Sequence, residues 1–485
     1  MSGILAHLKP ENVFGYFEEI TKIPHGSGDT KRLSDYCANV IRNAGLSCQQ
    51  DEMGNLIAVK EAAKGYENVP TVMLQGHLDM VNEKTTESNH DFSLDSLELK
   101  TEGDWIFAKD TTLGGDDGIA VAYMLAILSD PDLKHPRLEC VFTVDEEVGL
   151  LGANGLDVSS CRAHYLINLD NEEEGIFISS CAGGVRVDQI LPIQRMETEG
   201  KQYEIQMDHL KGGHSGSEIH KGHANANILM GRLLYELGLK EDEGFGLISC
   251  DGGQKDNAIS RSCTAKVVTE TDYETFSKNV LEVFEGIRKE YRHTEPDMEV
   301  KVVPVGEGNV WSMTPSSQMK VIFLLRMNPN GVQAMSHTMK GLVETSLNLG
   351  IMKTTEEEFT VCFSVRSSVE SAKLDLVNRL TLLIEFLGGE AYLHGDYPGW
   401  EYQPQSRLRE KMVQTWKDLF HEEAKMEAIH AGLECGLLLG KMPWLDAVSI
   451  GPNMEGVHTP KERLSISSTR KCYEFLIHLL EEIRE

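Results

Sequence analysis

The sequence predicts an α/β fold in which short strands alternate with amphipathic helices, and two observations carry that reading. Short apolar runs such as TVMLQ, LECVFTV, HYLINL and DAVSI are separated by stretches with helical spacing, the pattern of a sheet covered by helices on both faces. Each of these runs also ends near a histidine or a carboxylate, as strands do when their carboxyl ends form the rim of a site. A length of 485 residues exceeds what one compact core holds and points to two domains.

Near the start, Val13, Phe14, Phe17 and Ile20 recur at helical spacing, and the turn-rich IPHGSGDT leads to a second helix carrying Leu33, Cys37, Val40 and Ile41. Gly45 is the expected stop of that helix. The α/β pattern covers residues 1 to about 184. Within it TVMLQ leads to His77 and Asp79, LECVFTV to Glu146 and Glu147, and HYLINL to Asp170, while DAVSI near the other end leads to His458. Asp116 lies in the glycine-rich TTLGGDDGIA at the start of a helix through Ile119, Val121 and Leu125, where the helix dipole favours a carboxylate.

Composition narrows the function classes. With 41% hydrophobic and 25% charged residues the chain is an ordinary soluble protein, not a disordered one. A net charge of -30 repels nucleic-acid phosphates and anionic membranes, excluding both as expected partners, and suits a protein that collects divalent cations. The opening MSGILAHLKPENVFGYFEEI lacks the basic start, apolar stretch and cleavage site of a secretion signal, and no run is long and apolar enough to span a bilayer. Ten cysteines are scattered without a Cys-x-x-Cys pair, which reads as reduced thiols; the expected location is cytoplasmic and no cysteine is assigned to chemistry.

Two histidines and three carboxylates on one rim suit zinc, which takes imidazole nitrogen and carboxylate oxygen and keeps a position for water. Five donors exceed the needs of one catalytic ion. With Asp116 bridging, they divide into two sites, His77 with Asp170 and Glu147 with His458. Any one such residue at a strand end is more often a satisfied polar group, but the set of five reverses those odds. In the pair His77-x-Asp79, the aspartate can accept a hydrogen bond from the imidazole and fix its tautomer. Successive side chains leave an extended segment in different directions, so Glu147 can bind metal while Glu146 faces the attacking water as general base.

These residues carry a family resemblance. Through QGHLDMV, TTLGGDDGIA, TVDEEVG, LINLDNEEEG, GGHSGSEIH, IHAGLECG and IGPNMEGVHTPKE, in that order, the chain resembles the M20 metallopeptidases and, among them, bacterial aminoacyl-histidine dipeptidases. The resemblance spans nearly the whole sequence. It implies zinc ligation by His77, Asp116, Glu147, Asp170 and His458, acid/base work by Glu146, and orientation of His77 by Asp79. An aspartate at Asp170 favours dipeptidases over carboxypeptidases and deacylases, whose usual residue there is Glu. The resemblance further implies a cis peptide between Asp116 and Asp117.

It also implies a discontinuous zinc-peptidase catalytic domain, a mixed sheet flanked by helices, from residues 1–184 and 399–485. An α+β lid and dimerisation domain would be inserted at 185–398. CDGGQKDNAISRSCTAKVVTE and VETSLNLGIMKTTEEEFTVCFSVRSS share a layout ahead of a helix, the mark of an internal duplication or of convergent patterning. Within the insert, His214 of GGHSGSEIH is implied as a donor to the oxyanion of the tetrahedral intermediate. Gly216 departs from the alanine that many relatives carry. Arg366, at the end of FTVCFSV, is the candidate clamp for the substrate carboxylate, with Asn257 assisting. Glu434 in HAGLECG is a candidate partner for the substrate ammonium, with a packing role equally open to it and to His430.

The expectation is therefore a di-zinc metallodipeptidase, a homodimer with two Zn2+ per subunit and Co2+ or Mn2+ as substitutes, acting on Xaa-His dipeptides including β-Ala-His. The rivals are an M20-type amidohydrolase, either N-acyl amino acid deacylase or carboxypeptidase, and more remotely a non-catalytic binding homologue.

Overall fold

The structure is a computed structural model that describes residues 3–241 and 244–484. The chain forms two units. The described residues of the first run as far as Cys181 and resume at Tyr402–Ala428 and from Leu433 onward. The second comprises Ala182–Glu401 with Ile429–Gly432.

The first unit is α/β, built on an eight-stranded mixed sheet. Its spatial order is Ser47–Gln50, Leu56–Lys60, Leu138–Thr143, Val72–His77, Tyr165–Asn168, Asp446–Ser449, Ile176–Cys181 and Lys425–Ile429. The four central strands, those of LECVFTV, TVMLQ, HYLINL and DAVSI, are neighbours and run parallel. The strand Leu56–Lys60 joins them antiparallel, which makes the sheet mixed. Three of the four are buried at every residue, as parallel strands covered on both faces must be, and so they read as continuous apolar runs.

The covering helices follow from the same patterning. Helix Glu11–Ile20 buries Val13, Phe14, Phe17 and Ile20, and helix Lys31–Asn43 buries Leu33, Cys37 and Ile41, with Gly45 at a φ of 78°, in the left-handed region that ends a helix. Helix Gly115–Ser129 is apolar all round and wholly buried. A Cβ on Gly118 would lie 3.4 Å from the Phe17 ring, so the glycine lets the two helices close. Removing that ring in Phe17→Ala would cost about 3–5 kcal/mol. Asp116 and Asp117 have non-helical dihedrals and are joined by a cis peptide. Asp116 therefore stands at the mouth of the helix, ahead of its regular turns.

In the second unit one sheet has the order Glu299–Met313, Arg195–Asp208, Cys263–Thr269, Gly246–Gly252, Val343–Thr354, Glu358–Ser367, Gly183–Pro192 and Glu390–Tyr397, and Gly331–Met335 pairs with Val343–Thr354. The order has the same sense from either end. Arg195–Asp208, helix Ala226–Gly238, the hairpin Gly246–Gly252 with Cys263–Thr269, helix Tyr273–Tyr291 and Glu299–Met313 make one βαββαβ set. Gly183–Pro192, helix Pro315–Met327, the hairpin Val343–Thr354 with Glu358–Ser367, helix Glu370–Phe386 and Glu390–Tyr397 make the other. Among the described residues the strands of the two sets pair at Gly252 with Met352, and helix Ala226–Gly238 of one set packs against helix Pro315–Met327 of the other, where a Cβ on Gly231 would lie 2.6 Å from Leu325 Cβ.

Candidate metal centre

Parallel strands deliver their carboxyl ends to one edge, and four adjacent ones do so here. His77 closes the strand Val72–His77; Glu146 and Glu147 follow Leu138–Thr143; Asp170 follows Tyr165–Asn168. His458 comes nine residues beyond Asp446–Ser449 and has a φ of 62°. Asp116 enters from the mouth of the buried helix.

The five side chains converge into two interlocking groups that share Asp116. His77, Asp116 and Asp170 offer donor atoms within 4.8 Å of one another, and so do Asp116, Glu147 and His458. On one side, His77 Nε2 lies 3.2 Å from Asp116 Oδ1 and 3.6 Å from Asp170 Oδ1. On the other, His458 Nε2 lies 3.1 Å from Asp116 Oδ2 and 2.7 Å from Glu147 Oε1. One oxygen of Asp116 thus faces each histidine.

Two facts decide whether these residues fit metal ions. The first is the direction of the imidazoles. His77 Nδ1 lies 3.0 Å from the carbonyl oxygen of Asp79, so it donates there and leaves Nε2 with its lone pair toward the carboxylates. Two donors about 2.1 Å from a tetrahedral ion stand about 3.4 Å apart, within the spread of separations above. The second is charge. Burial, joined by neighbouring carboxylates, pushes Asp170 and Glu434 up to about 7 and holds Glu146 well above the usual carboxylate range. His458 is pushed up to about 11 by its bonds to Asp116 and Glu147, and His77 is raised by Asp116, Asp170 and Asp79 although burial opposes it. So dense a cluster of buried anions raises the proton affinity of both imidazoles and is costly unless cations offset it. Divalent cations do so, and the donor set fits them.

Asp79 does more than the sequence indicated. Its carboxylate lies 3.4 Å from His77 Nδ1, while the backbone carbonyl is the nearer partner. The same carboxylate accepts the N–H of Glu146 at 2.9 Å, the N–H of Glu147 at 3.3 Å and the hydroxyl of Ser27 at 2.8 Å. It holds the turn that presents both glutamates.

Glu434 is fully buried in the same unit. Its Oε2 accepts from the Gln75 amide and, at 2.6 Å, from the Thr143 hydroxyl, while Oε1 has no partner among the described residues. Gln75 in turn accepts from Asn168, whose side-chain oxygen accepts the N–H of Asp170 at 3.4 Å. A polar chain under the strand ends thus connects Glu434 with Asp170.

His214, Asn257, Arg366 and His430 belong to the second unit. His214 Nδ1 accepts from the N–H groups of Gly216 and Ser217 at 3.2 and 3.1 Å, so the neutral ring carries its proton on Nε2, as a donor. Burial, then Arg366, holds its pKa below the usual histidine value. The carbonyl of Asn257 accepts the N–H of Ser215 at 2.8 Å. Arg366 is buried, donates to the Tyr397 hydroxyl at 3.0 Å, and has no partner for Nε among the described residues. His430 Nε2 lies 2.7 Å from the Ser346 hydroxyl. Gly216 explains its own departure from alanine: a Cβ there would lie 2.4 Å from the His430 carbonyl oxygen, 3.1 Å from His214 Cε1 and 3.2 Å from Arg366 Nε.

Comparisons with known proteins identify the family. The model of peptidase family M20/M25/M40 matches residues 73–482. The chain belongs to that family. It is 36% identical over 482 residues to the cytosol non-specific dipeptidase of Escherichia coli K12, covering 99% of both chains. Among solved structures it is similar to the aminoacylhistidine dipeptidase of Vibrio alginolyticus, at 33% identity and a TM-score of 0.90 over 99% of this chain and 98% of that one. The aminopeptidase PepT of Bacillus cereus shares the fold at 14% identity and a TM-score of 0.56, covering 99% of this chain and 100% of that one. Membership in the family makes this M20 chain a metallopeptidase, and the clustered donors are where its metal would be held.

Sequence reasoning passed over Asp117. In this peptidase its Oδ2 accepts the N–H of His77 at 3.1 Å, and Oδ1 has no partner. A Cβ on Gly76 would lie 2.5 Å from Oδ2, so the glycine leaves room for that carboxylate. The repeated aspartate in GGDDG was the available signal. Ser27, in the turn IPHGSGDT, carried no signal at all, because its partner Asp79 lies 52 positions away.

Proposed function

We propose that this chain is a cytoplasmic metallodipeptidase with two zinc ions per subunit, which cobalt or manganese can replace. Its substrates are short peptides with free termini, Xaa-His dipeptides among them. The sharing of Asp116 between two donor groups is the observation that carries the reading. In this proposal His77 and Asp170 would hold one ion and Glu147 and His458 the other, with Asp116 available to both.

When bound, such a pair supplies Lewis acidity at the scissile carbonyl and eases deprotonation of water. Glu146 takes the proton of the attacking water and returns it to the leaving amine. Its buried, anion-rich surroundings support this role, because they raise its proton affinity, while two dications nearby would draw that affinity back down. Asp79 keeps the Glu146–Glu147 turn and the His77 ring in register. Glu434, with one unpaired oxygen, is assigned to the substrate ammonium.

For the second unit, the proposal is substrate recognition and dimerisation as a lid. Arg366 takes the substrate carboxylate, since its guanidinium is buried with Nε unpartnered among the described residues. Asn257 assists it. His214, whose free Nε2–H is a fixed donor, takes the developing oxyanion.

The two full-length relatives differ in the breadth their names state, one non-specific and one for aminoacylhistidine. Hydrolysis of Ala-His, β-Ala-His, Ala-Leu, Gly-Gly-His and N-acetyl-His, before and after chelation and zinc restoration, tests the proposal. Zinc-dependent cleavage of the dipeptides, sparing the last two substrates, is expected. Cleavage of N-acetyl-His in their place would assign the chain to the deacylases, and equal rates on Ala-His and Ala-Leu would remove the histidine preference.

A further inference from the structure

We propose that Glu462 is a positioning residue for the metal pair, fixing Asp116 and tying it to the turn that carries His458. The inference rests on the reading of Asp116 as the bridging donor. Glu462 is buried, and its carboxylate accepts four consecutive backbone N–H groups. Oε2 takes those of Leu113 at 2.7 Å and Gly114 at 3.2 Å; Oε1 takes those of Gly115 at 2.7 Å and Asp116 at 3.3 Å.

Four donors in a row normally mark a helix start waiting for an anion or a capping side chain. Helix Gly115–Ser129 has no side-chain cap of its own, because Gly114 stands at the N-cap. Glu462 supplies the missing acceptor from the far end of the sequence. The two glycines make the seat: Gly114 takes a φ of 67°, and a Cβ on Gly115 would lie 3.2 Å from Glu462 Oε1.

The grip reaches both donor groups. On one side it ends on the N–H of Asp116 itself, so the backbone from which the shared carboxylate projects cannot rotate without breaking a charge-assisted bond. On the other, Glu462 follows His458 by four residues in a turn closed by Glu462 N–H to the Thr459 carbonyl at 3.0 Å and Thr459 N–H to the Gly456 carbonyl at 3.1 Å. Anchoring Glu462 anchors that turn, and with it the only one of the five donors that lies far from its strand. An amide cannot do the same work, because its NH2 would face two N–H donors.

Glu462→Gln and Glu462→Asp test the proposal against wild type through three readouts: thermal unfolding of the metal-free protein, ion affinity by calorimetry, and electron paramagnetic resonance of the Mn2+-loaded protein. A shared carboxylate predicts a spin-coupled Mn2+ pair in wild type; its absence there would overturn the reading of Asp116 and leave Glu462 unassociated with any bridge. Given a coupled wild type, Glu462→Gln should lose the coupled signal and bind ions about 10- to 100-fold more weakly, the usual effect of removing a residue that orients a ligand. Glu462→Asp keeps the charge but is one methylene shorter, and should fall between the two. A Glu462→Gln protein less stable without metal but unchanged in affinity and coupling would reduce Glu462 to a helix cap and overturn the proposal. Should Glu462→Gln not fold, wild-type affinity and coupling in Glu462→Asp would overturn it equally.

Discussion

If Asp79 works by holding the turn that presents Glu146, the two residues must lose their separate effects when both are changed. Asp79→Asn keeps the shape of the side chain and one acceptor oxygen, but turns an NH2 group toward bonds now made to Ser27 and the Glu147 N–H. Loss of such an orienting carboxylate typically costs 10- to 100-fold, about 1.4–2.8 kcal/mol. Glu146→Gln removes the proton acceptor and should lower kcat by about 10²- to 10⁴-fold, or about 3–5.5 kcal/mol. Were the sites independent, the double variant would lose the sum, about 4–8 kcal/mol. Acting through Glu146, Asp79→Asn should add less than about 0.5 kcal/mol once Glu146 is already glutamine. The assay is a double-mutant cycle on kcat for one dipeptide at saturating zinc, because Asp79 also approaches His77 and its loss weakens the ion site. Zinc binding in Glu146→Gln should be close to that of wild type. Additive losses in the cycle would refute the argument and confine Asp79 to the His77 ring.

Three further outcomes are expected. Stripping metal should lower the melting temperature of the first unit, and restoring zinc to about 100 times its dissociation constant should add about 2.7 kcal/mol per site; calorimetric melting without that gain would refute the charge argument. Gly216→Ala should lower turnover and cost about 1–3 kcal/mol of stability in the second unit, since its Cβ meets the His430 carbonyl at 2.4 Å; an unaffected variant would show that the glycine is dispensable. Burial and Arg366 hold His430 down at about 3, below its unfolded value of about 6.5, so its contribution is present above about pH 6.5 and lost as pH falls toward 3. Between about pH 7.5 and about pH 5 the second unit should lose about 2 kcal/mol more than its His430→Gln variant, and parallel denaturation curves would contradict this.

What was legible in the sequence was what repeats at short range or ends an element. The apolar runs are readable because parallel strands covered on both faces are mostly apolar along their length, and the donors are readable because they sit at or just beyond the ends of those runs. The five donors and Glu146 are therefore legible from sequence, and the structure gathers the five into two groups. Asp79 was named too, but only for the neighbour two residues away; its bonds to Glu146 and Glu147 join positions that no local pattern connects. Ser27, Asp117 and Glu462 escaped for the same reason: each acts on backbone or carboxylate atoms brought near by the fold. The sequence places Asp116 at the start of a helix, where it stands, and the family resemblance implies the cis bond to Asp117; apolar periodicity by itself reports the buried helix and is silent about the non-helical dihedrals at its mouth.

The division between legible and hidden residues follows from what each must do. A ligand needs only the right chemistry at a strand end, so topology and residue type reveal it. A residue that orients a ligand needs a partner, and partners at this rim are drawn from distant segments: Ser27 for Asp79, Asp117 for His77, Glu462 for Asp116. Two of these carboxylates also stand in for bonds that local structure would normally supply. Glu462 takes the role of an N-cap that Gly114 cannot fill, and Asp79 serves backbone groups of a turn in which Asp145 has a φ of 53°. The backbone at the centre has thus given up local hydrogen bonding in order to aim its side chains, and distant carboxylates restore what was lost. Those carboxylates add to the negative charge that makes the cluster unfavourable without cations. Precision of aim and demand for metal therefore have a common origin, and substitutions that neutralise Asp79, Asp117 or Glu462 should relieve the metal-free protein of charge even as they blunt the site.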